Sequence, residues 1–230
     1  MHFSNIGKAM TAVALGLTLA ASAHATVTVI PLNISTGGTF DGTSGITGAT
    51  VTDSTANFGI EAWVNMGNLN DTTIAYNGDA STSGFGLGSW GGNFIGWYGG
   101  VTSFNIAAIT TNQWVEIALV NLGATTQVYF NGALQSADSS GSTPSPASWG
   151  WLYPTAMSIG GVSDGSQWVQ GVTGKISDVR VFTFDDGAFN AATDLNYPQH
   201  GANVPEPASL ALLGLGFAGL VNSRRKAKQA

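Results

Sequence analysis

Gln113-Trp114-Val115-Glu116-Ile117-Ala118-Leu119-Val120, followed by Val128-Tyr129-Phe130-Asn131-Gly132, decides the fold of this chain. A period of two places Val115, Ile117 and Leu119 on one face of an extended segment, with Trp114, Ala118 and Val120 on the other. Both faces are substantially apolar, as expected of a strand covered on two sides. Asn131-Gly132 after a second run is the strongest short hairpin signal, because both residues tolerate the positive φ of a type I′ turn. Leu134 then starts the return strand.

The same alternation recurs along the chain. Phe58, Ile60, Ala62 and Val64 share one face of another segment. Further runs fall at 26–32, 72–76, 85–87, 93–98, 155–159, 168–172 and 176–184. Strands at roughly 8–12-residue spacing with glycine-rich turns argue for an all-β, antiparallel sandwich. No window of about 11 residues has a persuasive helical period. A short helical turn is expected at 187–195. Trp63 and Trp114 lie on strands and are expected in the core.

The two ends read differently from the middle. Lys8, the apolar stretch 9–21 and the small-residue site Ala23-His24-Ala25 form a secretory signal peptide, with the mature chain beginning near Thr26. At the other end stand Val204-Pro205-Glu206-Pro207, an apolar run over 210–221, and Arg224-Arg225-Lys226. Each proline fixes φ and removes an amide donor, so the Pro-Glu-Pro element resists helix and central strand alike. As a helix the apolar run covers about 18 Å, short of a hydrocarbon core about 30 Å thick. It suits a transient hold better than a permanent anchor, and the basic residues after it keep the rest of the chain outside. The expected organisation is a signal peptide over 1–25, a sandwich over 26–197, a spacer over 198–203 and a sorting signal over 204–230.

Composition narrows the function classes. The chain has 230 residues, three histidines and no cysteine. Seven Lys and Arg oppose 13 Asp and Glu, for a net charge of −6. Only Lys175 and Arg180 of the basic residues lie inside the sandwich region, against twelve acidic ones, which gives that region a net charge of −10. Nucleic acid binding requires a basic footprint that this domain lacks. An exported domain without cysteine is held together by packing rather than disulfides.

Two resemblances follow from these residues. The tail closely resembles the PEP-CTERM sorting signal of Gram-negative bacteria. That resemblance implies recognition by a membrane-embedded exosortase, cleavage near the Pro-Glu-Pro element, and release to the cell surface or an exopolysaccharide matrix. The middle supplies Phe40-Asp41-Gly42-Thr43, then Phe58 to Val64, Gln113 to Val120, Val128 to Gly132, Ile159-Gly160-Gly161, and Gly174-Lys175-Ile176-Ser177-Asp178-Val179-Arg180-Val181-Phe182. In this order they resemble a laminin-G-like (concanavalin A-like) jelly-roll domain over most of 30–195. The resemblance implies two stacked antiparallel sheets. It leaves binding of carbohydrate or protein, an accessory role, a structural role and a single calcium site all open, because fold does not assign function.

Chemistry is weighed residue by residue. His2, His24 and His200 all lie outside the expected sandwich, which removes Ser-His-Asp, Cys-His and histidine-zinc chemistry from it. A carboxylate pair is the remaining catalytic option. Laminarinase-like relatives carry Glu-x-Asp-x-x-Glu on one strand, and this chain has no such cluster. Glu61 and Glu116 fall on different strands and read as solvent-facing or buried structural carboxylates, so no catalytic residue is expected. Calcium takes six to eight oxygens. Asp71, Asp79, Asp138 and Asp164 fall in expected loops, and Asp164 in Gly160-Gly161-Val162-Ser163-Asp164-Gly165 is the best single ligand, although turn chemistry explains it equally. No other cofactor has a candidate ligand. Trp90, Trp97, Tyr98, Trp149, Trp151, Tyr153 and Trp168 lie in Gly/Pro/Ser-rich stretches. An indole can stack on a sugar ring while its N–H bonds a hydroxyl. Trp149, Trp151 and Tyr153 form the densest cluster and the candidate ligand site, with extracellular polysaccharide as the partner. Packing within the loops is the competing account.

The expected protein is an exported, non-enzymatic module. It either binds glycan or serves as matrix structure without a specific ligand.

Overall fold

The computed structural model describes residues 27–32, 34–48, 51, 57–78, 84–99, 102–138, 157–163, 168–185 and 187–197. They form an antiparallel β-sandwich. The strands in chain order are β1 (Thr28–Ile30), β2 (Gly38–Asp41), β3 (Ile46–Thr47), β4 (Asn57–Met66), β5 (Thr72–Asn77), β6 (Phe85–Trp90), β7 (Asn93–Tyr98) and β8 (Thr102–Ala108). There follow β9 (Trp114–Leu122), β10 (Thr126–Phe130), β11 (Ala133–Asp138), β12 (Ser158–Ile159), β13 (Val162–Ser163), β14 (Trp168–Val169) and β15 (Thr173–Thr183), then the helical turn α1 (Ala191–Asp194).

One sheet runs β1-β15-β4-β9-β10-β11, with β2 also paired to β15. The other runs β3-β12-β5-β6-β7-β8, and β13-β14 form a separate ribbon. The alternation read from sequence sets the register. Phe58, Ile60, Ala62, Val64 and Met66 of β4 are fully buried between the sheets, together with Val115, Ile117 and Leu119 of β9. Asn131 and Gly132 take φ of 50° and 73° between β10 and β11, as the hairpin signal requires. Strand β8 is absent from the sequence reading, although Phe104 and Ile106 alternate on it and face the core.

A second apolar cluster explains why β9 is apolar on both faces. Ala118, Val120, Tyr129, Phe182, Phe184 and Leu195 pack on the outer face of the seven-stranded sheet. The segment 184–197 covers them: Phe189 stacks on Phe182 at 6.3 Å and packs on Phe184 at 5.1 Å. Asn190 caps α1 by accepting from the Ala192 amide at 3.0 Å, satisfying a donor that the first turn leaves free. Tyr197 ends the segment, stacked on Trp63 at 5.9 Å. Trp114 departs from expectation. It pairs with Asn65, one row beyond the Trp63–Glu116 pair that Tyr197 covers, and is 42% exposed.

Candidate functional site

The candidate site lies on the outer face of the six-stranded sheet. Register puts Gly86 opposite Trp97 and Tyr76, and Gly88 opposite Ile95 and Thr73. Phe85, Leu87, Phe94 and Tyr98 therefore point into the core, while Trp90, Ile95 and Trp97 point outward. A Cβ on Gly86 would stand 2.3 Å from the Tyr76 ring, and one on Gly88 would stand 2.4 Å from the Trp97 ring. The two glycines thus leave a floor on which both rings lie. Tyr76 and Trp97 stack at 4.7 Å with an interplanar angle of 25°. Ser103 on β8 lies opposite Trp97 and Asn105 opposite Ile95, whereas Asn93 pairs with Trp90 and donates its side-chain amide to the Gly91 carbonyl at 3.2 Å. Thr73 donates its hydroxyl to Gln170 at 3.0 Å. Trp90, 63% exposed, stands at the β6–β7 tip next to Gly91-Gly92. Tyr76 is fully buried and backs the Trp97 ring, so of this pair only the half-buried Trp97 has surface to offer for stacking, beside the exposed Ser103 and Asn105.

The sequence-derived aromatic candidates divide. Trp97 joins the platform, but on a strand rather than a loop. Tyr98 is buried, its hydroxyl bonded with Thr126 at 3.1 Å and accepting from Asn121 at 3.2 Å, and burial pushes that phenol up to about 12. Trp149, Trp151 and Tyr153 lie outside the described residues, as do Asp79 and Asp164, Ala23 and Ala25 of the signal cleavage site, and Val204 to Pro207 with Arg224, Arg225 and Lys226. Tyr76, Gly86 and Gly88 were missed by sequence reasoning. The signal was present in Phe85-Gly86-Leu87-Gly88, where glycine alternates with core residues.

Among the described residues no group of three or more His, Cys, Asp or Glu is placed to hold a metal. The Asp71 carboxylate accepts from the Gly91 amide at 2.7 Å. Asp41 accepts from the Thr43 amide and hydroxyl at 2.9 and 2.8 Å, bonds that hold its carboxyl below the ordinary range. The Asp41 bonds form a local turn, whereas the Asp71 bond reaches across to the β6–β7 turn. Asp138 is the last residue of β11 rather than a loop residue.

The two glutamates lie on the opposite side of the molecule, beneath segment 184–197. Glu61 accepts from the Arg180 guanidinium and from the Asn196 amide at 3.1 and 3.2 Å. Arg180 also donates to the Asp194 carbonyl and sits 4.8 Å from the Phe182 ring centre. Glu116 accepts from the Gly132 amide at 3.0 Å through Oε2. Its Oε1 has no hydrogen-bond partner among the described residues. Burial pushes the Glu116 carboxyl up to about 8, with the nearby Glu61 charge adding to it. Burial raises Glu61 too, against the pull of Arg180. A cleft of about 330 Å³ opens nearby at the β15 bulge, lined by Ile30, Leu32, Asp178, Arg180 and Asn196 among others, and neither glutamate lines it. Among the described residues no helix is long and apolar enough to cross a membrane.

Residues 40–188 match the laminin-G-type family described as the concanavalin A-like lectin/glucanases superfamily. Residues 203–226 match the PEP-CTERM protein-sorting motif. No curated protein matches the chain. Among solved structures, domain 4 of AbnA, a GH43 extracellular arabinanase from Geobacillus stearothermophilus in complex with arabinotriose, aligns with a TM-score of 0.54 at 19% identity, covering 75% of this chain and 87% of that one. The Ruminococcus gnavus IT-sialidase CBM40 bound to α2,3 sialyllactose aligns at 0.50 and 12%, over 69% and 98% of the two chains. A mutant of Trypanosoma rangeli sialidase displaying trans-sialidase activity aligns at 0.52 and 14%, over 77% of this chain and only 30% of that enzyme. At these identities the likeness is one of fold.

Proposed function

Because the chain belongs to the concanavalin A-like lectin/glucanases superfamily and carries a PEP-CTERM motif, we propose that it is an exported carbohydrate-binding protein without catalytic activity of its own. An exosortase-type enzyme processes its tail at the inner membrane. The domain then works at the cell surface or in the extracellular polysaccharide matrix, and it needs no cofactor.

The observation that carries this reading is the half-buried Trp97 ring on the outer face of the six-stranded sheet, lying over Gly88 and backed by the fully buried Tyr76. An apolar ring face bordered by Ser103 and Asn105 suits the alternating C–H face and hydroxyl rim of a neutral sugar. A net charge of −10 over the sandwich region disfavours anionic glycans, so a neutral polysaccharide is the ligand class. The absence of histidine from the described sandwich, and the burial of both glutamates under segment 184–197, support a binding role over hydrolysis.

A glycan array on the domain, followed by calorimetry on any hit, tests this. Trp97→Ala weakens retention about tenfold, the scale of one lost stacking contact plus its buried area. Gly88→Val instead lowers the melting temperature, because its Cβ stands 2.5 Å from the Thr72 carbonyl as well as against the Trp97 ring. Chelation with EDTA leaves both affinity and melting temperature unchanged. An array without hits favours the ligand-free structural role, and hits that survive Trp97→Ala place the site elsewhere.

A further inference from the structure

Charge divides unevenly between the two sheets. None of the strands of the six-stranded sheet carries Asp, Glu, Lys, Arg or His. Residues 80–115, which hold all of β6, β7 and β8, contain no such residue either. The seven-stranded sheet has carboxylates on β2, β4, β9, β11 and β15, together with Lys175 and Arg180. An ionic partner finds no countercharge on the strands of the smaller sheet, and an unpaired charge is costly to desolvate. An uncharged polyhydroxylated chain meets no such cost.

Two observations mark how a ligand lies on this face. The first is a line of rings. The Trp97 indole reaches over Gly88, where a Cβ would stand 2.4 Å from it. Trp90 lies two residues further along β6 on the same face and is 63% exposed, a step of about 7 Å. The turn beyond it is open, since a Cβ on Gly91 or Gly92 would meet no atom within 4 Å. The second observation is Gln170. It is exposed and has φ of 51°, a left-handed conformation that a side chain adopts at a cost. The buried Thr73 pins it twice: the Thr73 amide donates to the Gln170 carbonyl at 2.9 Å, and the Thr73 hydroxyl donates to Oε1 at 3.0 Å. With Oε1 so engaged, the side chain still has its two N–H donors to offer. Thr73 pairs with Gly88, Gly88 with Ile95, and Ile95 with Asn105. Gln170 therefore heads the row that passes beneath the Trp97 indole, two strand spacings or about 10 Å from Gly88.

We propose that this face binds at least two consecutive units of an uncharged polysaccharide running along β6, one stacked on Trp97 and accepting from the Gln170 amide, the next reaching Trp90. This rests on the carbohydrate-binding reading above, and it adds a minimum ligand length and the residue that selects among sugars. Stacking alone discriminates little, because many sugars present an apolar face to an indole. A donor held at one place discriminates more, because a sugar without an oxygen there leaves it unpaired. The left-handed turn at Gln170 is the device that sets the amide where Thr73 can hold it.

Calorimetry of the full-length protein against cello-, manno- and xylo-oligosaccharides, from the single sugar to the hexasaccharide, tests this. In a series that binds, affinity rises about tenfold or more with length and is the same at low and high salt. Trp90→Ala, a change at an exposed side chain, flattens that rise. Gln170→Ala combined with Thr73→Val, so that no buried hydroxyl is orphaned, weakens binding at every length about tenfold, the scale of one lost hydrogen bond. It also narrows the spread of affinities among the three series, which a purely structural role would not do. Affinity that does not grow with length, growth that Trp90→Ala leaves intact, or a spread that the double variant leaves unchanged overturns the proposal. Failure of every neutral series to bind overturns the carbohydrate-binding reading beneath it.

Discussion

Arg180→Ala lowers the melting temperature by roughly 6–20 °C, the range given by about 3–5 kcal/mol for a broken buried ion pair in a domain of this size. Glu61 is 1% exposed. With the guanidinium gone, its carboxylate keeps only the Asn196 amide, and an ion out of water with one neutral donor is costly. The loss is not confined to one pair. Arg180 also holds the Asp194 carbonyl and lies against Phe182. Segment 184–197 therefore loosens, and the outer cluster of Phe182, Phe184 and Leu195 gains water access. Thermal unfolding followed by circular dichroism reads the shift, and limited proteolysis reads earlier cutting within 184–197. The double change Glu61→Met with Arg180→Met removes both charges together and recovers most of the loss, because an apolar pair of similar volume carries no desolvation cost. A single-variant shift below about 2 °C, less than 1 kcal/mol at this size, means that the pair does not hold the segment.

The same segment marks where sequence reasoning succeeded and where it stopped. The two-sided apolarity of β9 predicted a cover on each face, and the second cover is 184–197 over Ala118 and Val120. Trp114 was placed in the core by the same argument, but the cover ends one row earlier at Trp63. Periodicity reports which face a residue takes, not how far along a strand the neighbouring layer extends. The hairpin at Asn131-Gly132 was legible because turn chemistry is local. The Tyr76–Trp97 platform was not legible. Its two rings come from β5 and β7, joined across glycines of β6, and only the pairing register brings them together. Glycine alternating with Phe85 and Leu87 hints at a low floor without naming what lies on it. Glu61 and Glu116 were correctly separated onto two strands, but the arginine that pairs with Glu61 stands 119 residues further on. A single sequence does not connect them.

Stability falls as pH rises from about 4.5 to about 8, and Glu116 is the cause. In the unfolded chain this carboxyl titrates near 4.5, whereas in the fold burial and the Glu61 charge hold it up to about 8. Between those values the folded protein keeps a proton that the unfolded chain has released. Stability is then full below the lower value, declines by up to about 1.4 kcal/mol per pH unit between the two, and levels off above the higher. Over the whole window the loss reaches a few kcal/mol, in the direction opposite to that of a salt-bridged carboxylate with a depressed value. Glu61, raised in the same direction, adds to the slope, and the two carboxyls titrate together rather than one by one. Glu116→Gln isolates the share of Glu116. The amide oxygen still accepts from Gly132, replacing the bond through Oε2, but nothing ionises. At pH 5 the variant matches the parent or falls slightly below it, and at pH 9 it is the more stable of the two, so the two stability curves cross. Urea denaturation at several pH values between 4 and 9 measures this directly. Parallel curves would show that Glu116 ionises in the fold as it does in water, and that water reaches it beneath Tyr197.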